Sequence, residues 1–376
     1  MSIPETAITR RGALAAVGAG AVIGGLGLSR TARAVTESKP ARLTPAQLAG
    51  QRVIFSYPGA TPPASLLDQI SAGEAGGVIF FGENITSLTQ IAGVVAQLKE
   101  AHAASPVRSP LLLMTDQEGG IVRRLPGEPV LSEKQIGESA DPPAQAAAAG
   151  TGAGQNLAGV GMNTNLAPVL DVFRQAGNFD DEFGRSYSMD PNVCAACGAA
   201  FIRAQQKLDI AATAKHFPGL GAATVEQNTD LGPVTLDVPL ADLRGIDERP
   251  FRSAIAAAVR LVMTSWAVYP ALDPRLPSGL SPRTVQGELR QRLGFRGVTI
   301  TDALEAGAIA AFGTPAQCGV LAARAGMDVL LCSAREVSEG QDTVAALTDA
   351  LQHHALDPGQ FEIALRRVLA LRDSLA

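Results

Sequence analysis

The chain has 376 residues, 46% apolar, 18% charged and 4% aromatic, with 31 Lys and Arg against 36 Asp and Glu and a formal charge of −5. That apolar fraction with mixed charge excludes a mainly disordered protein, and the acidic balance lacks the basic footprint of a nucleic-acid binder. Four cysteines in this length exclude a disulfide-dense scaffold.

Residues 1–34 read as an export address. Thr9-Arg10-Arg11-Gly12-Ala13-Leu14 carries a twin arginine, an uncharged Ala- and Gly-rich run follows from Ala15 to Leu28, and Ala32-Arg33-Ala34 is an A-x-A cleavage signal. The apolar core of about 14 residues is shorter than the roughly 20 that span a bilayer. A twin-arginine-type signal peptide is therefore expected rather than a membrane helix. No cysteine follows the run, so no stable membrane anchor is expected after its removal, and the mature chain would be extracellular or cell-wall associated. Removing four Arg and one Glu leaves 27 basic against 35 acidic residues, a charge of −8. Residues 35–42 read as a linker, and 43–376 as a single catalytic domain.

From there one rhythm repeats. Nearly continuous apolar runs occur at Val53–Tyr57, Gly77–Phe81, Leu111–Thr115, Thr164–Leu170, Ala212–His216, Leu261–Ser265, Gly297–Thr301 and Met327–Cys332, as expected of strands covered on both faces. Segments with helical spacing separate them. Ile85–Lys99 places Ile85, Leu88, Ile91, Val95 and Leu98 on one side, and Ala144–Val160, Val193–Lys207 and Leu240–Val259 follow the same pattern. The last, Phe361–Leu375, carries Phe361, Leu365, Val368, Leu369 and Leu375 on one stripe. Eight strands with crossover helices predict an α/β fold, a single closed (β/α)8 TIM barrel. An open doubly wound sheet is the alternative, weakened because no G-x-G-x-x-G follows the first strand. Cys194 and Cys197 have CxxC spacing, but in an Ala-rich helix without a second pair they read as small buried residues rather than a zinc site. A Cys318–Cys332 bridge stays open.

In such barrels the loops leaving the carboxyl ends of the strands carry the chemistry. The third run ends in Asp116-Gln117-Glu118-Gly119-Gly120, the fourth in Asp171, the fifth in Lys215-His216-Phe217-Pro218-Gly219 and the seventh in Asp302. Charges at buried strand ends are costly unless paired or used. Singly, Asp171 could cap the next segment and Lys215 could pair with Asp116; together they point to a site. Of His102, His216, His353 and His354 only His216 ends a strand, so neither a metal centre nor a cofactor is indicated. No G-x-S-x-G elbow occurs. Carboxylates working on a sugar fit best, one attacking the anomeric carbon while a second group gives the leaving oxygen its proton.

Six motifs in order carry a family resemblance. They are Thr115-Asp116-Gln117-Glu118-Gly119-Gly120, Ala167-Pro168-Val169-Leu170-Asp171-Val172, Gly184-Arg185-Ser186-Tyr187, Lys215-His216-Phe217-Pro218-Gly219, Val262-Met263-Thr264 with Tyr269-Pro270-Ala271-Leu272-Asp273, and Ile300-Thr301-Asp302-Ala303-Leu304. From about residue 43 to 376 the chain resembles single-domain glycoside hydrolases of family 3, of the β-N-acetylhexosaminidase type. The resemblance implies a retaining hydrolase that releases N-acetylglucosamine from a β-linked amino-sugar oligosaccharide of cell-wall (peptidoglycan) or chitin origin. It implies Asp302 as nucleophile, with Asp116, Arg124, Arg185, Lys215 and His216 holding sugar hydroxyls and the acetamido group. The chemistry suits those roles: carboxylates accept from hydroxyls, and Arg and Lys donate charge-assisted bonds.

The fifth loop departs from the family pattern, Lys-His-Phe-Pro-Gly-His-Gly followed by Asp-Ser-His, whose Asp–His pair is the acid/base. Here Leu220 stands at the first His, Glu226 at the Asp and Asn228 at the catalytic His, while Trp266 stands where a further His is expected. An amide has no proton to give near neutral pH. Three readings stay open. Glu226 is the acid/base, its pKa raised by burial when the loop closes, with Asp230 a weaker candidate in the same loop. Alternatively, the protein is a secreted sugar-binding pseudo-enzyme with little turnover. In the third, substrate preference has moved and Trp266 offers a ring a stacking face, unless it simply packs at the barrel edge.

Overall fold

The computed structural model describes residues 43–375; the expected signal and linker, 1–42, lie outside the described residues. Eight barrel strands are numbered here in chain order: β1 (Val53–Phe55), β2 (Gly77–Phe80), β3 (Leu112–Thr115), β4 (Thr164–Asn165), β5 (Ala211–Phe217), β6 (Leu261–Thr264), β7 (Val298–Ala303) and β8 (Val329–Leu331). They close into one barrel in the order β1-β8-β7-β6-β5-β4-β3-β2, and every neighbouring pair is parallel. The fold is the (β/α)8 barrel that the eight apolar runs predict.

Side chains on a strand alternate between its two faces. Ile54, Ile79, Leu112, Met114, Ala211, Leu261, Met263, Val298, Ile300, Val329 and Leu331 form one buried cluster, the barrel interior. The intervening Val53, Phe55, Val78, Phe80, Leu113 and Leu330 pack outward with Leu66, Ile70, Ile91, Leu98 and Ala322 of the surrounding helices. Continuing this alternation past Met114 and Ile300 makes Asp116 and Asp302 the next inward positions, which aims two carboxylates at the carboxyl-end mouth.

The amino end of the barrel is plugged by the last helix, Pro358–Asp373, whose Val368 and Leu371 join the interior cluster. The buried Arg372 donates to the carbonyls of Pro110 and Ser109, both at 2.6 Å, and to the Gln51 side chain. Beside it Asp328, fully buried, accepts from Arg290 at 2.5 Å, Arg367 at 3.1 Å and the Thr299 backbone N–H at 2.9 Å. Helix ends follow local chemistry. The first predicted helix starts at Leu88, later than Ile85, because Ser87 caps it by accepting from the Gln90 N–H. The fourth strand pairs regularly only over Thr164–Asn165, and Val169 meets Lys215 in a single further bridge. Pro168 between them has no N–H for the ladder. A hairpin of Gln117–Gly119 with Val122–Arg123, and helices Ala64–Ser71, Arg283–Arg292, Pro315–Ala325 and Val337–Gln352, are among the elements that the apolar periodicity does not single out. All four cysteines are buried and free; Cys318 donates to the Ile309 carbonyl and Cys332 to the Thr343 hydroxyl, so the bridge left open between them is absent.

Breaking a buried ion pair from one side leaves uncompensated charge. Asp328→Ala, which strands Arg290 at the barrel base, should lower unfolding free energy by about 3–5 kcal/mol in chemical denaturation.

Candidate active site

A cavity of about 630 Å³ opens at the carboxyl end of the barrel. Its apolar floor includes Ile79, Leu166, Met263 and Leu331, and its walls carry Phe81, Phe179 and Phe183. Asp116, Arg124, Arg185, Lys215, His216 and Asp302 all line it, so residues from β5, β7 and the loops after β3 and β4 converge there. Six of the seven expected site residues are therefore brought together.

The polar side is organised around Lys215. Its buried Nζ lies 2.7 Å from Asp116 and 2.8 Å from Glu118. Arg185 grips Glu118 with two parallel bonds, Nε and Nη2 each at 2.9 Å, the bidentate geometry that fixes both planes. Burial alone would raise the Glu118 pKa, but Arg185 and Lys215 outweigh it and hold the carboxyl at about 2. Lys215 is itself pulled down by burial and raised overall by Asp116 and Glu118. Arg124 lines the wall with its Nε buried and unpartnered among the described residues.

His216 follows Lys215 at a register irregularity between Ala214 and Phe217, and both side chains reach the cavity. Its Nδ1 donates to the fully buried Asp171 at 2.7 Å, which directs the other ring nitrogen away from Asp171. Burial disfavours the imidazolium, yet Asp171, by charge and hydrogen bond, and then Asp302 raise its pKa. Asp171 also accepts from the backbone N–H groups of His216 and Leu220 at 3.2 and 2.7 Å. It thus pins the start of the fifth loop as well as the imidazole.

Asp302 accepts at 2.8 Å from the N–H of Ala303. The carbonyl of Ala303 in turn accepts from Trp266 Nε1 at 2.7 Å. Trp266 is 1% exposed within the outer core, so it is not a stacking face for a sugar; it anchors the backbone directly after Asp302.

Glu226 is the expected site residue that the structure does not deliver. It is solvent-exposed, outside the cavity, and accepts from the Thr224 hydroxyl at 2.9 Å. Its pKa is lowered by a backbone hydrogen bond and by Thr224, opposite to the burial-driven rise expected of an acid. Four residues on, Asp230 does line the cavity, and its pKa is raised by desolvation and then by Asp302. Asn228 accepts from the Asp230 backbone N–H at 2.8 Å.

The strand ends assign no role to several further carboxyls at or beside the cavity. Glu118 belongs to the motif that ends the third run, and Lys215 and Arg185 give it its place in the site. Glu305 lines the cavity and accepts from the Ser333 hydroxyl at 2.7 Å. Glu133, the first residue of a short helix capped by Ser132, is buried; burial and then Glu118 raise its pKa well above the ordinary carboxylate value, although Val169 N–H donates to it. Asp180 is buried with neither oxygen partnered among the described residues, and burial followed by Asp171 raises it to about 7. Nothing local in the sequence separates Glu133 and Asp180 from surface charge.

Fold and site together define a (β/α)8-barrel hydrolase built on carboxylates and cations rather than on a nucleophilic serine. The glycosyl hydrolase family 3 N-terminal domain matches residues 46–371, so the chain belongs to glycosyl hydrolase family 3. It is 46% identical over 330 residues to an uncharacterized secreted glycosyl hydrolase of Arthroderma benhamiae, covering 87% of this chain and 93% of that protein. It is 30% identical over 337 residues to beta-hexosaminidase A of Pseudoalteromonas piscicida, covering 84% of this chain and 56% of that protein. Among solved structures, a family 3 β-N-acetylglucosaminidase from Paenibacillus superposes with a TM-score of 0.82 at 31% identity, over 89% of this chain and 63% of that one. A β-N-acetylhexosaminidase from Beutenbergia cavernae gives 0.80 at 35% identity, over 88% of this chain and 99% of that one. The chain is thus a β-hexosaminidase-like glycosidase that spans little more than half of one such relative and nearly all of another.

A carboxyl held at about 2 instead of its ordinary 4.5 stabilises the fold fully above pH 4.5, and that contribution is lost as pH falls from 4.5 towards 2. Glu118→Gln should therefore lower Tm at pH 7, and the gap from wild type should shrink progressively below pH 4.5 in thermal melts.

Proposed function

We propose that this chain is a retaining β-N-acetylhexosaminidase that releases N-acetylglucosamine from β-linked oligosaccharides. The observation that carries this reading is Asp302, the inward continuation of β7, in one cavity with Lys215, Arg185 and His216. The mixed lining suits a pyranose. Ile79, Met263 and Leu331 offer the apolar surface that its C–H faces need, while Asp116, Lys215 and Arg124 supply acceptors and donors for hydroxyls. Asp302 attacks the anomeric carbon and forms a covalent glycosyl-enzyme, which water then hydrolyses with retained configuration. The names of the Paenibacillus and Beutenbergia relatives support an N-acetylated amino sugar as the residue released.

We further propose that residues 1–34 are a twin-arginine-type export signal, that 35–42 link it to the catalytic domain at 43–376, and that the substrate is met outside the cell as cell-wall or chitin fragments. The secreted status in the name of the Arthroderma relative supports this. Arg10→Lys with Arg11→Lys should retain the protein inside the producing cell, as read by fractionation.

Asp302→Asn should cut kcat by about 10⁴–10⁶-fold, the range for removing a nucleophile, while N-acetylglucosamine still binds in calorimetry. A 2-deoxy-2-fluoro glycoside should label Asp302 of the wild type during turnover. If the wild type binds the sugar but cleaves neither aryl glycosides nor disaccharides, the protein is a sugar-binding pseudo-enzyme instead.

A further inference from the structure

We propose that Asp230 is the general acid/base of this site, placed on the cavity by a loop latched to the segment that follows Asp302. The proposal rests on the glycosidase reading above and supplies the proton donor that Asn228 cannot be.

Four carboxylates line the cavity: Asp116, Asp230, Asp302 and Glu305. Asp116 is tied to Lys215 at 2.7 Å. Glu305 accepts from both the hydroxyl and the backbone N–H of Ser333, at 2.7 and 3.3 Å. Asp302 is the attacking group. Asp230 remains, and no hydrogen bond to its carboxyl contributes to its titration. A carboxyl that must hold and release a proton needs this freedom, because donors to its charged form would favour the carboxylate.

The loop is fixed by backbone bonds that leave the side chain free. Gly307 N–H donates to the Asp230 carbonyl at 2.9 Å, and Ala308 N–H to the Thr229 carbonyl at 3.0 Å. Asn228 Oδ1 takes the Asp230 N–H at 2.8 Å. Gly307 permits this approach: a Cβ there would lie 2.5 Å from the Leu231 carbonyl oxygen and 3.0 Å from that of Asp230. The loop carrying Asp230 is thereby joined to the turn that begins five residues after Asp302. Asn228 has become the turn residue that sets the direction of Asp230.

Charges facing Asp230 come from three sides. Asp302 and Glu305, on β7 and its loop, favour its protonated form; His216 on β5 and Arg185 in the loop after β4 oppose it; desolvation, the largest influence, favours protonation. Asp230 stands at the rim, open to solvent on one side and desolvated on the other by the cavity it lines, and a leaving sugar must depart towards solvent, so its oxygen passes the rim while the anomeric carbon sits at Asp302. Bound sugar displaces further water and strengthens the same trend.

The steps balance. An Asp302 oxygen forms a bond to C1 as the C1–O bond breaks; that electron pair goes to the leaving oxygen, which takes the proton of Asp230. The Asp230 carboxylate then removes a proton from water, the water oxygen bonds to C1, and Asp302 leaves as carboxylate. Asp230 ends protonated as it began.

The test is steady-state kinetics of the full chain on the β-linked N-acetylglucosamine disaccharide and on the 2,4-dinitrophenyl glycoside, whose leaving group needs no proton. Asp230→Asn should cut kcat/KM for the disaccharide by about 10²–10⁴-fold and spare kcat/KM for the aryl glycoside. It should abolish the basic limb of the disaccharide pH profile, and azide, a nucleophile needing no base, should accelerate aryl turnover and release glycosyl azide. Asp230→Glu should recover part of the disaccharide rate together with the basic limb, and Glu226→Gln should match wild type. Equal losses on both substrates with an unchanged pH profile, or a wild-type rate in Asp230→Asn, would overturn the assignment to Asp230 while leaving Asp302 in place. A wild type inert on both substrates removes the glycosidase reading and Asp230 with it.

Discussion

Lys215 holds two carboxylates at once, and the site depends on that arrangement. A buried ammonium is tolerated only where opposite charge repays its lost hydration, and here Asp116 and Glu118 supply it at 2.7 and 2.8 Å. Arg185 completes the set by gripping Glu118 from the loop after β4. Two cations and two anions thus join β3, β5 and that loop across the barrel mouth. The pairing is why a polar wall persists above an apolar floor, and why Asp116 and Lys215 present acceptor and donor side by side.

A second constraint runs through the backbone after β7. Trp266 holds the Ala303 carbonyl from beneath, and Gly307 and Ala308 bind the fifth loop from the side. Two of the residues that depart from the expected pattern, Trp266 and Asn228, bear on this region. Trp266 stands at a histidine position and has become an anchor. Asn228 stands at another and has become a turn residue. Leu220 stands at a third, is 2% exposed, and packs in the cluster with Phe179, Val234 and Tyr269. Leu220 and Trp266 pack, Asn228 turns the chain, and the fifth loop's cavity-facing titratable side chain is the carboxyl of Asp230.

The misplaced expectation was Glu226, and its cause is specific. Glu226 and Asp230 lie in one irregular loop where no period-2 or 3.6 rule says which side chain faces inward. Alignment with the pattern favoured Glu226 because it occupies the aspartate position. The facing is decided by bonds to Gly307 and Ala308, distant in sequence. Glu118 stands two positions beyond Asp116 in the third strand-end motif, but its place is set by Lys215 and Arg185, which the fold brings to it.

The sequence by itself determined the barrel, the strand ends that meet at its mouth, and the identities of Asp116, Lys215, His216 and Asp302 as a cluster. Those features rest on local alternation and on the rule that parallel strands joined by crossovers present one common end. Tertiary structure alone decided which loop carboxyl reaches the cavity, that Trp266 is buried beneath the site, and that Glu133 and Asp180 are desolvated. Burial and loop facing are properties of residues far apart in the chain, and no short window of sequence contains both partners.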